Sequence, residues 1–170
     1  MKAYRVHEYG DAAKFIEDEV NKPSAKKGYV VVEVKVSSLN PIDHKLLKSD
    51  LGINPALPGI LHMDVAGVIT EVGEGVTAFK IGDEIYGCAG GLQGEAGNIE
   101  GALADFMLAD SNLIALKPKS LSFSESAALP LVTITAWEGL FDRAHIKKED
   151  HVLIHGGPGG VGHIAIQRAR

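Results

Sequence analysis

Near the end of the chain, Gly157-Pro158-Gly159-Gly160-Val161-Gly162 satisfies the spacing G-x-G-x-x-G. That chemistry is specific. One glycine supplies a tight turn, another lets the backbone approach a diphosphate with no Cβ in the way, and the last lets a helix pack closely. Free N–H groups and the dipole at a helix start attract the phosphates. Alone the motif is weak; a strand before it and a helix after it strengthen it, and the flanking residues read that way. His151 to His155 is a short apolar run, and Gly160 to Arg170 has helical spacing. An acidic or basic residue that reads the ribose belongs about twenty residues further on, beyond Arg170, so the choice between NAD and NADP is not encoded here.

Other residues with chemical potential are sparser. His7, His44, His62, His145, His151, His155 and His163 form no metal-spaced cluster. His62 reads as a loop or partly buried histidine beside a strand, and His44 as an exposed helical one with a smaller prospect of touching a ligand. Cys88 is the one cysteine. It excludes an internal disulfide and a Cys-based structural zinc site, fits a reducing cytoplasmic setting, and reads as a small buried residue rather than a nucleophile. Asp43 is suited to a helix N-terminal acid.

The elements that must position these groups change character along the chain. From Met1 to about Leu116 the signals are strands and turns. Val30, Val32, Val34 and Val36 alternate with Val31, Glu33 and Lys35, which predicts a strand with one buried face. Ile42 to Lys48 reads as a short helix, and Asp64 to Val72 as a second apolar strand. Glu84 to Tyr86, Ala104 to Ala109 and Leu113 to Leu116 read as further strands, so a partly open barrel or sandwich is expected. Helices are expected over Ser124 to Leu129 and Val132 to Ala144, interrupted by Pro130. The domains are therefore read as 1–123 and 124–170. The second holds the strand, glycine loop and helix that open a βαβ unit.

Composition sets the limits. Of 170 residues, 45% are hydrophobic and 23% charged, as in a folded domain rather than a disordered chain. A net charge of −5 argues against a nucleic-acid partner. No apolar stretch is long enough to span a bilayer, and the charged start does not resemble a signal peptide.

Several segments together resemble one family. Asn40-Pro41-Ile42-Asp43, Asp64 to Ile69, Val72 to Val76, Phe79 to Asp83, Gly101 to Phe106, Ala127 to Pro130 with Thr135-Ala136-Trp137, and Val152 to Gln167 are similar to the amino-terminal portion of medium-chain dehydrogenases/reductases, in their zinc-free quinone oxidoreductase branch. The resemblance implies a mixed fold: a GroES-like β-barrel-type domain, then the first strand, glycine loop and helix of a truncated Rossmann domain. It also implies that Asn40, Met63 and Leu131 stand where the zinc alcohol dehydrogenases carry ligands. These side chains cannot supply the three N, O or S⁻ donors a catalytic zinc needs, so no metal is expected.

The function implied is hydride transfer from NADPH, with NADH not excluded, to a small quinone or α,β-unsaturated carbonyl. Asn40 and Asp43 are the implied catalytic residues. Asn40 is placed near the nicotinamide or the substrate carbonyl, Asp43 braces its turn, Thr135 contacts the nicotinamide ribose, and Gly157, Pro158, Gly159, Gly160, Val161 and Gly162 hold the pyrophosphate. A homodimer is implied for the full-length parent. Because a doubly wound domain has about six parallel strands, the 170-residue polypeptide is expected to bind NADPH weakly or not at all, with 124–170 mobile or self-associating. Two alternatives stand beside this reading: a non-catalytic GroES-like binding module, and an alcohol dehydrogenase relative that lacks its zinc site.

Overall fold

The computed structural model describes residues 1–94 and 97–170. It divides into two compact units, Met1–Ala128 and Leu129–Arg170.

In the first unit, β3 (Tyr29–Ser37) and β5 (Asp64–Val72) form the heart of a five-stranded antiparallel sheet. Its order is β10 (Ile114–Leu116), β6 (Glu84–Cys88), β5, β3, β9 (Phe106–Asp110). Val30, Val32, Val65, Ile69, Ile85, Met107 and Ala109 share its core. The valine run was expected to bury one face, yet Val31 is as buried as its neighbours. A central strand is covered on both sides, and register shifts at Val31/Val32 and Val34/Val36 bend it further. A smaller sheet runs β2 (Phe15–Glu19), β1 (Lys2–Val6), β4 (Gly59–Ile60), and the Ala3–Ala104 bridge ties it to the segment before β9. The antiparallel pair β7 (Leu92–Gly94) and β8 (Gly97–Ile99) completes the strands among the described residues.

Between β3 and β4, α1 (Pro41–Lys48) starts one residue earlier than expected, because proline is suited to the first helical position. Leu46 is its fully buried anchor. Buried Asn54 closes the far end. Its side-chain NH2 donates to the Leu46 and Ser49 carbonyls, and its Oδ1 accepts from Leu51 N–H. The helix α2 (Phe123–Ala127) is capped by a reciprocal Ser122–Glu125 pair. It packs against β3, β5 and β6, so it belongs with the strands and not, as expected, with the segment that follows.

In the second unit, α3 (Pro130–Trp137) begins at Pro130, which starts the helix rather than interrupting it. The predicted single helix to Ala144 gives way at Glu138–Arg143 to a π-helical turn containing Gly139. α4 (Gly160–Arg168) packs on α3 around Ala136, Leu140 and Ala165. The predicted strand His151–His155 does not form: 151–154 is irregular and a turn begins at 155. A strand is defined by its neighbour, and no strand pairs with this segment among the described residues. Leu153 is 80% exposed.

Candidate functional site

Asn40 is the N-cap of α1. Its backbone is extended (φ −118°, ψ 158°), and its N–H donates to Asp43 Oδ2 at 2.7 Å. The Asn40 side chain is buried and turned toward β5. Its NH2 donates to Asp64 Oδ2 at 2.9 Å and, more weakly, to Ser38 Oγ at 3.4 Å. The Ser38 hydroxyl donates in turn to Asp64 Oδ2 at 3.0 Å. The Asn40 side-chain oxygen lies beside the Asp43 N–H without a cap hydrogen bond of full geometry, since that N–H is held by the Asn40 backbone carbonyl at 3.0 Å.

Asp43 is almost completely buried, and its Oδ1 makes no hydrogen bond of full geometry. Burial pushes its carboxyl above the usual carboxylate range, while the Asn40 N–H and the neighbouring His62 pull it back. His62 is buried too, in a left-handed backbone (φ 71°) that is uncommon for residues other than glycine, though histidine is among those enriched there. Its Nδ1 meets Ser37 Oγ at 3.1 Å. Burial depresses its pKa, opposed by the charges of Asp43 and Asp64. Cys88 pairs with Asp64 across β5 and β6. Burial first, then the Asp64 carboxylate, push its thiol up to about 12, so it is not a nucleophile at neutral pH.

The depressed His62 pKa has a measurable consequence. Below its ordinary value of about 6.5 the unfolded chain binds the proton more readily, so His62 contributes stability that is present above that pH and is lost as pH falls. Asp43, with a raised pKa, acts the other way from about pH 4 upward. Asparagine tolerates the same backbone. The His62→Asn variant is therefore expected to lose less stability than the parent between pH 7 and pH 5, measured as urea midpoints. Parallel slopes would contradict this.

The second unit holds the other predicted residues. Thr135 is exposed on α3, its hydroxyl donating to the Leu131 carbonyl at 2.8 Å. Gly157 to Gly159 form the turn before α4, and Gly160, Val161 and Gly162 are that helix's first turn. The His163 N–H bonds the Gly159 carbonyl at 3.1 Å, so the N–H groups of Gly160, Val161 and Gly162 precede the first intrahelical bond. A Cβ on Gly162 would overlap the Gly156 carbonyl. This arrangement fits a diphosphate: a bare backbone turn, a helix start and a glycine needed for close packing.

Of the zinc-position residues, Met63 is buried with the first unit's apolar core, and Leu131 lies half-buried on α3 of the second. No group of three or more His, Cys, Asp or Glu is arranged to hold a metal ion among the described residues. His44 is exposed on α1. Sequence reasoning did not assign Asp64 and Asn54 any role. A carboxylate opening an apolar strand is the signal that was available for Asp64, since a charge there must find partners.

The first unit is thus an antiparallel sheet carrying a buried Asn–Ser–Asp network, and the second holds a glycine turn at a helix start. The family model described as "Alcohol dehydrogenase GroES-like domain" matches residues 26–119, and the chain belongs to that family, as the amino-terminal portion of a medium-chain dehydrogenase/reductase. It is 39% identical over its whole length to the 2-methylene-furan-3-one reductase of Solanum lycopersicum, covering 44% of that protein. It is 36% identical to a chloroplastic NADPH-dependent alkenal/one oxidoreductase of Arabidopsis thaliana, again covering 44%, and 34% identical to the quinone oxidoreductase of Rattus norvegicus, covering 50%. Among solved structures it superposes on an alcohol dehydrogenase superfamily protein from Novosphingobium aromaticivorans with a TM-score of 0.90 and 39% identity, over 99% of this chain and 50% of that one. The chain spans about half the length of the curated relatives it matches.

Proposed function

We propose that the whole protein transfers a hydride from NADPH to a small quinone or α,β-unsaturated carbonyl, without a catalytic zinc. The observation that carries the reading is the glycine turn at the start of α4, whose third glycine admits no Cβ. The names of the relatives supply the substrate class: alkenal/one and furanone reductases and quinone oxidoreductases, one of them NADPH-dependent.

In this reading NADPH supplies the hydride, and the chain's residues bind and orient. The N–H groups of Gly160, Val161 and Gly162 meet the pyrophosphate, with Gly157 to Gly159 giving it room. Thr135 sits on the nicotinamide-ribose side. Asn40 contacts the reacting end, and Asp43 holds the Asn40 backbone in place. The donor chemistry supports the absence of zinc, since an amide, a thioether and an isobutyl group make no ligand set. The proton that completes reduction comes from water. A homodimer in a cytoplasmic setting completes the reading, and no helix of the described residues is long and apolar enough to cross a membrane.

The test is oxidation of NADPH, with NADH alongside, by a small quinone and a small enone, with a chelator present throughout. Turnover that survives the chelator is expected. Turnover that the chelator abolishes would remove the zinc-free half of the proposal. No oxidation with any acceptor would leave a binding module in place of an enzyme.

A further inference from the structure

We propose that Asp64 is a positioning residue that fixes the polarity of Asn40, so that Asn40 offers its ligand a hydrogen-bond acceptor and never a donor. The inference rests on the nicotinamide-nucleotide reading above and deepens it.

The amide of asparagine has two unlike ends, an NH2 that donates twice and an oxygen that accepts. A free Asn40 side chain would turn either end to a ligand. It is not free. A carboxylate only accepts, so Asp64 Oδ2 at 2.9 Å requires the NH2 end. The Ser38 hydroxyl spends its proton on that same carboxylate, which leaves its oxygen to accept the second Asn40 N–H at 3.4 Å. Both donors therefore point inward. Reversing the amide would set its oxygen against the carboxylate oxygen, with both groups at least nine-tenths buried and no proton between those two acceptors. The side-chain oxygen accepts no hydrogen bond of full geometry among the described residues and keeps a lone pair beyond its loose approach to the Asp43 N–H.

An acceptor held this way cannot polarise a substrate carbonyl, which needs a donor. It selects a donating group instead. A nicotinamide nucleotide has two near its reactive ring, the carboxamide NH2 and the hydroxyls of the adjoining ribose. Asn40 is thus assigned to hold the cofactor, and substrate activation must come from elsewhere.

The experiment compares NADPH with two reduced analogues on the whole protein. One carries 3-acetylpyridine in place of nicotinamide, which keeps the carbonyl and loses the NH2. The other lacks the 2′-hydroxyl of the nicotinamide ribose. One of the two is expected to bind the parent protein about tenfold more weakly than NADPH, identifying the donor, because a buried acceptor is left unmet. In Asp64→Asn the neighbour both donates and accepts, Asn40 is released to turn over, and that penalty is expected to shrink toward unity. A purely structural role for Asp64 would weaken all three nucleotides together and leave their ratio unchanged. Asp64→Ser serves the same comparison if the asparagine variant does not fold, and the parent protein's own discrimination requires no variant. Equal binding of all three nucleotides by the parent, or an unchanged ratio in the variants, overturns the inference while the reductase reading stands. Failure of the parent to oxidise NADPH at all removes both.

Discussion

Gly101→Ala is expected to lose about 3 kcal/mol of stability or to prevent folding of the first unit, the size associated with forcing atoms into an already filled interior. The segment ahead of β9 lies directly on the turn that carries His62. Gly101 N–H donates to the Ile60 carbonyl at 2.8 Å and Ala102 N–H to the His62 carbonyl at 2.8 Å. A Cβ on Gly101 would run into the Leu61 carbonyl group and the His62 carbonyl oxygen. These are backbone atoms, so no rotamer change relieves the overlap. They belong to residues that are themselves buried, and Leu61 is fully so. The only relief is to push the 61–62 turn aside. That would break the two hydrogen bonds and move His62 off Ser37 and away from Asp43. Urea unfolding measures the loss, and the histidine's NMR titration should move toward its ordinary value as the site opens. A change below about 0.5 kcal/mol, the range of an ordinary surface substitution, would mean that the turn yields easily and does not hold the site.

How much of this was legible beforehand depends on whether a residue's behaviour is its own or its neighbour's. β3 and β5 announce themselves because a buried face leaves a pattern in the sequence. β2, FIEDE, leaves none. It is an edge strand whose residues are mostly exposed, and its acids suit an edge better than any core pattern would. His151 to Ile154 shows the reverse. The apolar composition of a strand is present, but pairing belongs to two segments at once, and no strand lies beside it among the described residues.

The site divides the same way. The loop's glycines carry their meaning in their spacing, and the third of them makes the close approach that spacing implies. Asn40 and Asp43 were reached only through resemblance, since an Asn-Pro-Ile-Asp run is also an ordinary helix start. The tie from Asp43 Oδ2 back to Asn40 N–H is a feature of that helix start. The partnership of Asn40 with Asp64 spans 24 positions and depends on β5 being laid beside the end of β3. No local pattern carries it. The left-handed backbone of His62 was likewise missed, because histidine, though enriched at positive φ, adopts it at only a small minority of its positions.

In the second unit, Gly162→Ala sets two effects against each other. Alanine is the better helix former by about 1 kcal/mol, and Gly162 lies in the first turn of α4, where that gain applies. Against it stands the overlap of the new Cβ with the Gly156 carbonyl, and with Gly157 Cα at 2.8 Å. Both obstacles are backbone, and Gly156 is already committed to a left-handed conformation (φ 71°) with its carbonyl accepting from Gly159 N–H at 2.9 Å. The turn and the helix must separate, so the overlap wins. Separation turns the N–H groups of Gly160 to Gly162 away from the position a diphosphate would take. A hydrogen bond to a charged group contributes about 1.5–3 kcal/mol, so losing one or two is expected to weaken NADPH binding by about tenfold to more than a hundredfold. The first unit has a hydrophobic core of its own residues, and its unfolding midpoint is expected to be unchanged. Titration of the whole protein with NADPH, beside urea unfolding, reads both numbers. Binding within about threefold of the parent, less than the loss of a single such bond, would show that the phosphates are held somewhere other than this turn, and the assignment of the glycine loop would fall with it.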